Sequence, residues 1–233
     1  MITKLRLIGI SLTLMFSLSS CFDIKEEITI NKNGSGTYAF ELDMSEMITM
    51  LESMKNMTDS TATEEEEDDD LLKKMSDGTN EKLQALESIN GISNVKDSSE
   101  PEKGIARYQF NFKDIESLNA AYQAMSKDSS DARTGIIFEG KKGKLVRNNV
   151  DGDMVYTMLS GFAKNQGGEG ADMEAAAGMF STGSYELRVT VPKSVKKFDN
   201  EEGEAFDDQV RMSVSLDQMM LHNEYLDYSL EYK

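Results

Sequence analysis

The sequence has few of the residues that brace a chain covalently or locally. Its 233 residues include one cysteine, two prolines and no tryptophan. A single cysteine cannot form an intrachain disulfide, so covalent cross-linking within the chain is excluded. Stability must therefore come from ordinary side-chain packing. With 39% hydrophobic residues, the chain has enough apolar side chains to build a core.

Catalytic groups are also scarce. The one histidine, His222, lies beside a predicted helical turn, whereas a catalytic triad or a histidine metal site would need it buried. We therefore expect His222 to be exposed. The glycines at 167–170 follow a helix and lack the strand-then-helix context of a phosphate-binding loop. With 42 acidic residues, some carboxylate pair is always available, so the presence of such pairs does not indicate a hydrolase. We predict that the chain is not an enzyme and holds no metal or cofactor.

Positive charge is in short supply. Lysine and arginine total 25 against 42 acidic residues, which gives a formal net charge of −17. Nucleic acid and anionic lipid surfaces would both repel such a chain, so neither is an expected partner. Seven consecutive carboxylates, Glu64 to Asp70, repel one another and predict a disordered acidic loop over 58–78. Whether this run also binds cations or a basic partner is left open, because nothing in it fixes a ligand geometry.

Long apolar runs are absent except at the N-terminus. Lys4 and Arg6 lead into an apolar stretch, Leu7 to Leu18, which is shorter than the roughly 20 residues that a membrane-spanning helix needs. A basic start followed by such a stretch is typical of a signal peptide, here residues 1–20. Its removal would leave residues 21–233 with a charge of −19, because Lys4 and Arg6 leave with it. We expect these residues to form one extracytoplasmic domain.

The apolar stretch ends in Leu18-Ser19-Ser20-Cys21, which resembles the lipobox of bacterial lipoproteins. In a lipobox a small residue precedes the cleavage site, and the cysteine that follows carries the lipid. The resemblance implies that Cys21 is acylated, with palmitate among its chains, and that this lipid is the membrane attachment. Lipidation would also leave no free thiol for cysteine catalysis. The alternative is an ordinary secretory signal with an unmodified cysteine.

Alternating apolar residues predict antiparallel strands with one face in water. In the first hairpin, Ile24, Glu26, Ile28 and Ile30 share one face, and a turn at 31–36 leads to the second strand. A calcium loop is not expected at this turn, because Leu42 occupies the position that requires glutamate. Strand pairs followed by a helix recur, which predicts three strand–strand–helix units. They cover the hairpin 24–44 with helix 44–54, strands 92–96 and 106–112 with helix 115–125, and strands 136–138 and 145–147 with helix 153–162.

Three further strands are predicted near the C-terminus, at 185–191, 210–216 and 226–232. The last one is expected to pair beside 210–216, because only a short turn separates the two. The sequence therefore predicts an α+β fold in which antiparallel sheet packs against helices.

Two stretches resemble the LppM-like lipoprotein domain. An alternating strand that runs into a proline, Tyr185 to Pro192, precedes the segment 195–200 and the strand 210–216, as at the end of that domain. The hairpin at 28–36, close behind a lipidated cysteine, is similar to its start. The combination also resembles lipoproteins of Bacteroidetes. The resemblance implies an α+β fold on the outside of a membrane, and it brings no catalytic residues.

The function hypotheses follow from the anchor and the composition. The first is a non-enzymatic lipoprotein of the bacterial cell envelope, at the outer membrane, which is attached through Cys21 and binds an envelope protein or lipid. The second is a carrier with an internal cavity, because methionine-lined grooves can bind apolar ligands. The third is an envelope hydrolase with two carboxyl groups about 5 to 9.5 Å apart.

Overall fold

A computed structural model describes residues 22–49, 53, 81–125, 138–141, 143–148, 177–178 and 180–233. Within these ranges the chain forms two β-sheets with short helices. The strands are β1 Asp23–Ile30, β2 Gly36–Asp43, β3 Ile92–Asp97, β4 Ile105–Phe112, β5 Phe138–Lys141, β6 Lys144–Arg147, β7 Ser184–Thr190, β8 Val195–Asp199, β9 Gly203–Phe206, β10 Gln209–Ser215 and β11 Tyr228–Tyr232. The helices are α1 Ile115–Met125 and α2 Leu216–Leu221, with further helical residues at 45–49 and 81–87 and 3-10 turns at Pro101–Lys103 and Asn223–Leu226.

The larger sheet has the strand order β3-β4-β2-β1-β7-β10-β9, and the smaller sheet has the order β5-β6-β11-β8. The α+β fold predicted from the sequence is confirmed. The described residues open with the predicted hairpin of β1 and β2, whose turn is closed by a hydrogen bond from Asn31 N to Ser35 O of 2.7 Å. The first residue of β2, Gly36, has to be a glycine, because a Cβ there would lie 2.3 Å from the ring of Phe112.

Two of the strand–strand–helix units are visible in the described residues. In the first, β1 and β2 lead into helical residues 45–49, and Asp43 Oδ1 accepts a hydrogen bond from Ser45 N at 2.9 Å. In the second, β3 and β4 lead into α1, where Asp114 Oδ1 accepts from Ser117 N at 2.8 Å and caps the helix. The third unit has its hairpin, β5 with β6. Its predicted helix at 153–162 lies outside the described residues.

The prediction of purely antiparallel sheets is wrong at one central pair. Strands β1 and β7 run parallel, with Ile24 opposite Tyr185 and Ile28 opposite Val189. A parallel pair requires a long connection, and β2 to β6 all lie between these two strands in the chain. The other strand pairs among the described residues run antiparallel.

The predicted partner of the final strand is also wrong. Strand β11 lies between β6 and β8 in the smaller sheet and does not pair with β10. Both sides of β10 are already occupied, by β7 and by β9. Strands β8 and β9 were not among the predicted strands, since few of their residues are apolar. Both lie at sheet edges.

The inner faces of the two sheets share one hydrophobic core. Tyr122 of α1 connects them, since its ring centroid lies 5.4 Å from that of Tyr38 on β2 and 5.1 Å from that of Phe138 on β5. Cross-strand aromatic pairs extend the core along β2 and β4, with centroids 4.9 Å apart for Tyr38 and Phe110. Buried methionines fill the remaining space among the described residues: Met44, Met125, Met212, Met219 and Met220.

The position of β11 predicts a large stability loss from a single truncation. Leu230 is fully buried and lies opposite both Leu145 and Phe198. Leu230→Ala should lower the free energy of unfolding by about 2 to 5 kcal/mol, measured by urea denaturation. The control is Ser229→Ala on the opposite face of the same strand, where we expect a change within about 0.5 kcal/mol. Equal losses from both variants would contradict the inward orientation of Leu230.

Candidate functional site

On the open face of the larger sheet, opposite the core, two rows of polar and charged side chains cross the strands. Side chains alternate along each strand, so residues in register on neighbouring strands share this face. The first charged row contains Arg107, Glu41, Lys25, Glu186 and Ser213, from β4, β2, β1, β7 and β10. The second charged row contains Gln109, Ala39, Glu27, Arg188, Arg211 and Glu204, and it ends on β9.

The first charged row neutralises itself at its centre. Glu41 accepts hydrogen bonds from Arg107 Nε at 2.7 Å and from Lys25 Nζ at 3.2 Å. Burial of the Glu41 carboxyl would raise its pKa, but the hydrogen bonds from Arg107 and Lys25 outweigh burial and hold the pKa below its ordinary value. The hydrogen bond to Glu41 likewise raises the pKa of Lys25. All three groups are therefore charged at neutral pH and satisfied by one another.

The second charged row leaves one cation without a partner. Arg188 Nη1 lies 2.6 Å from Glu27 Oε1. Arg211 stands directly opposite Arg188 on β10, and like charges in that arrangement repel. Glu204 is opposite Arg211 on the other side, yet Arg211 forms no ion pair or side-chain hydrogen bond with any residue in the described ranges.

The parts of these rows on β1, β7 and β10 form the floor of a cleft of about 530 Å³, whereas Arg107 and Glu41 lie outside it. Its floor is made by β1, β7 and β10, and its wall by residues 201–204, which form the start of β9 and the turn before it. The charged side chains that line it are the cations Lys25, Arg188 and Arg211 and the carboxylates Glu27, Glu186, Glu201, Glu202 and Glu204. The cleft therefore carries both signs of charge.

Two residues fix the wall of the cleft against the sheets. Asn200 Oδ1 accepts a hydrogen bond from Glu202 N at 2.7 Å, and Asn200 Nδ2 donates to Asp227 O at 2.7 Å. Gly203 lies so close to β10 that a Cβ there would be 2.9 Å from Arg211 O. The hydrogen bonds of Asn200 and the close backbone approach at Gly203 therefore hold the wall, residues 201–204, against β10.

A buried charge network lies on the opposite side of the same strands. Arg147 Nη1 on β6 donates to Glu26 Oε2 at 3.1 Å and to Tyr185 Oη at 2.8 Å, and the Tyr185 hydroxyl donates to Glu26 Oε2 at 2.5 Å. All three side chains are fully buried. The guanidinium also lies over the ring of Phe138, 5.7 Å from its centroid. This network joins β6 of the smaller sheet to β1 and β7 of the larger one.

The network changes the acidity of nearby tyrosines. Burial, and then the charge of Glu26, raise the pKa values of Tyr38 and Tyr108 well above the ordinary value of 10.0. Burial likewise raises the pKa of Tyr228, although the charge of Arg147 opposes the shift. These hydroxyls therefore stay protonated in the folded protein at neutral pH.

Most of the residues singled out in the sequence are outside the described ranges. Cys21, the predicted lipidation site, and the acidic loop 58–78 lie outside the described residues. His222 is exposed, as predicted, with Nδ1 3.3 Å from Glu224 Oε1. Within the described part of the chain, no group of three or more histidine, cysteine or acidic side chains is placed to hold a metal ion. The alternation put Arg188 and Arg211 on polar faces, but only the register of β7 and β10 could show that they are neighbours.

Comparisons with known proteins add a distant structural likeness. No protein-family model matches the chain, and no curated protein sequence matches it. Among solved structures, the NMR structure of the folded domain of Mycobacterium tuberculosis LppM is similar, with a TM-score of 0.38 and 10% sequence identity. The alignment covers 91% of this chain and 90% of the LppM chain. Nothing about function is taken from a likeness of this size, and both LppM-like family membership and an origin in Bacteroidetes stay predictions.

The buried network predicts strong coupling between its two charges. Arg147→Met would leave the Glu26 carboxylate buried without its ion-pair partner, which should destabilise the protein by about 3 to 5 kcal/mol in urea unfolding. The double variant Glu26→Leu/Arg147→Met removes both charges and should recover most of that loss. As a control, Arg107→Met breaks the exposed pair with Glu41 and should cost at most about 1 kcal/mol. A double variant no more stable than Arg147→Met would contradict the coupling.

The raised tyrosine pKa values predict a loss of stability in alkali. The folded pKa of Tyr38 lies above the ordinary value of 10.0, so its contribution is fully present below pH 10 and is lost as the pH rises through the folded pKa. Urea unfolding should therefore show falling stability above pH 10, with phenolate absorbance from the buried tyrosines appearing only as the protein unfolds. Tyr38→Phe should make the decline shallower. A stability that stays constant above pH 10 would refute this account.

Proposed function

We propose that the chain is a non-enzymatic lipoprotein of the bacterial cell envelope, attached through lipid on Cys21 at the outer membrane. The observation that carries the proposal is that Phe22, the residue next to this cysteine, is already packed into the fold. Phe22 is 4% exposed, its ring packs edge-on against Phe180 at 5.1 Å, and its carbonyl accepts a hydrogen bond from Ser184 N at 3.0 Å. Strand β1 starts at Asp23. A lipid on Cys21 would hold the domain with no intervening linker.

A tether without a linker would set the orientation of the domain at the membrane. The end of the larger sheet beside Phe22 contains the start of β7 and the end of β10, where Ser184 pairs with both Asp23 and Ser215. Helix α2 follows directly, and Leu221 at its end is exposed. The other exposed large apolar residue among those described, Phe206, lies at the far end of the sheet, about 20 Å away along β1 at 3.3 Å per residue.

The binding role rests on the open face and its cleft. The first charged row is satisfied within the protein, whereas Arg211 in the second charged row is available to a partner. Among the described residues, aromatic side chains of the core stack on one another, as Phe40 and Tyr108 do with centroids 5.1 Å apart. This favours recognition at the surface, by an envelope protein or lipid, over carriage of an apolar ligand in the core.

No helix in the described part of the chain is long and apolar enough to cross a membrane. In the proposal the acyl chains provide the attachment. Each buried CH₂ group contributes about 0.8 kcal/mol to membrane affinity, so more than one acyl chain gives firm anchoring.

The proposed orientation predicts different membrane contact at the two ends of the sheet. Leu221→Cys and Phe206→Cys each provide a unique thiol for a fluorescent label, because the lipid would occupy the one natural cysteine. In vesicles of zwitterionic lipid, a quencher attached to the lipid headgroups should quench the label at 221 more strongly than the label at 206. Equal quenching at both positions would contradict the orientation but not the anchor.

The anchor is tested separately with the same proteins. Wild type should enter the detergent-rich phase in a phase-partition assay, whereas Cys21→Ser should stay in the aqueous phase or remain unprocessed. In the Cys21→Ser background, neither label should be quenched by vesicles. A Cys21→Ser protein that still enters the detergent-rich phase as wild type does would refute lipid attachment at this residue.

A further inference from the structure

Two arginines stand side by side on the floor of the cleft. Arg188 and Arg211 are directly opposite on β7 and β10, where cross-strand neighbours have Cβ atoms about 5 Å apart. Glu27 engages one guanidinium, at 2.6 Å from Arg188. An arginine presents five N–H donors in a fork that matches a carboxylate or a phosphate. The pair therefore forms a position where an anionic group would relieve the repulsion between two guanidinium groups.

The walls around this position carry the opposite charge. The glutamates at 186, 201, 202 and 204 line the cleft together with Glu27, so five carboxylates face the three cations. These carboxylates do not converge as metal ligands within the described residues. A purely anionic ligand would meet the arginines but would be repelled by the walls. A ligand with an ammonium group close to its anion satisfies both.

Comparison of the two charged rows separates this position from an ordinary solvated sheet surface. In the first charged row, Glu41 accepts a hydrogen bond from each of Lys25 and Arg107, so both cations have an ion-pair partner. In the second charged row, Glu204 is in register with Arg211 yet does not pair with it. The cleft volume of about 530 Å³ lies within the range of about 300 to 1,000 Å³ that small-molecule sites occupy.

We infer that the cleft binds a zwitterionic small molecule whose carboxylate or phosphate lies between Arg188 and Arg211 and whose ammonium group faces the wall glutamates. The inference deepens the proposed binding role and is independent of the lipid anchor. Two sources share this chemistry, amino carboxylates and amino phosphates, and the probes below distinguish them.

Two matched pairs of probes test the inference. β-Alanine and propionate share a carboxylate and differ by the ammonium group, and phosphoethanolamine and ethyl phosphate form the corresponding phosphate pair. Each is titrated into the full lipidated chain in a maltoside detergent, because a zwitterionic detergent would compete. NMR of the arginine Nε–H groups reports the site. The signals of Arg188 and Arg211 should shift, and that of Arg107, on the same face outside the cleft, should not.

In at least one pair the amine-bearing compound should bind about two- to fivefold more tightly than its partner, as expected for one exposed ion pair. The pair that shows the larger difference identifies the source of the anion. Arg211→Gln should abolish the shifts, while the matched variant Arg107→Gln should leave the affinity unchanged. Glu204→Gln should reduce the preference for the amine. All three positions are at the surface, and thermal melts would verify that each variant folds.

Three results would overturn the inference. Equal or tighter binding of propionate and ethyl phosphate in both pairs would rule out the zwitterion. Unchanged binding by Arg211→Gln would rule out this cleft, and the absence of shifts with all four compounds would rule out the site. None of these results affects the anchor, because phase partition of the same preparation reports it independently.

Discussion

The buried contact of Arg147 with Glu26 and Tyr185 is the constraint on which the arrangement of the two sheets depends. A charge without exposure to water is tolerated only when its partner is in place, and here the partners come from β6, β1 and β7. A slip of β1 by one residue would turn Glu26 to the open face and break its ion pair with the buried Arg147. The ion pair therefore specifies both the register of β1 and the position of the smaller sheet.

That same register sets the surface chemistry. Lys25 and Glu27 flank Glu26 in sequence and face the cleft because Glu26 faces the core. The parallel pairing of β1 with β7 then places Glu27 opposite Arg188, and the antiparallel pairing of β7 with β10 places Arg211 next to it. The same strand register therefore sets both the open face and the buried network, and a change in register would alter both.

Local patterns predicted the local structure well. Alternation predicted the hairpin of β1 and β2 and the strand β10, and Asp114 caps α1 where the spacing of apolar residues predicted a helix. Pairing between strands that are distant in sequence could not be predicted, because an alternating strand can pair with many partners. In the structure β9 occupies the edge of β10, and β11 pairs with β8 in the other sheet. The sequence placed Glu26 among apolar residues but gave no sign of Arg147 as its partner. The cleft escaped prediction because it depends on the register of three strands at once.

The proposed anchor and the cleft would have a geometric relation. The first and second charged rows lie two and four residues beyond Asp23 along β1, which corresponds to about 7 and 13 Å at 3.3 Å per residue. A domain tethered at Phe22 without a linker would therefore hold Arg188 and Arg211 close to the membrane surface. The negative net charge of the chain would repel anionic lipids at that height, so an anionic group would reach the arginines more readily when it carries its own ammonium. A tether without a linker, together with the negative charge of the chain, would thus favour a zwitterionic ligand, as the wall of the cleft does.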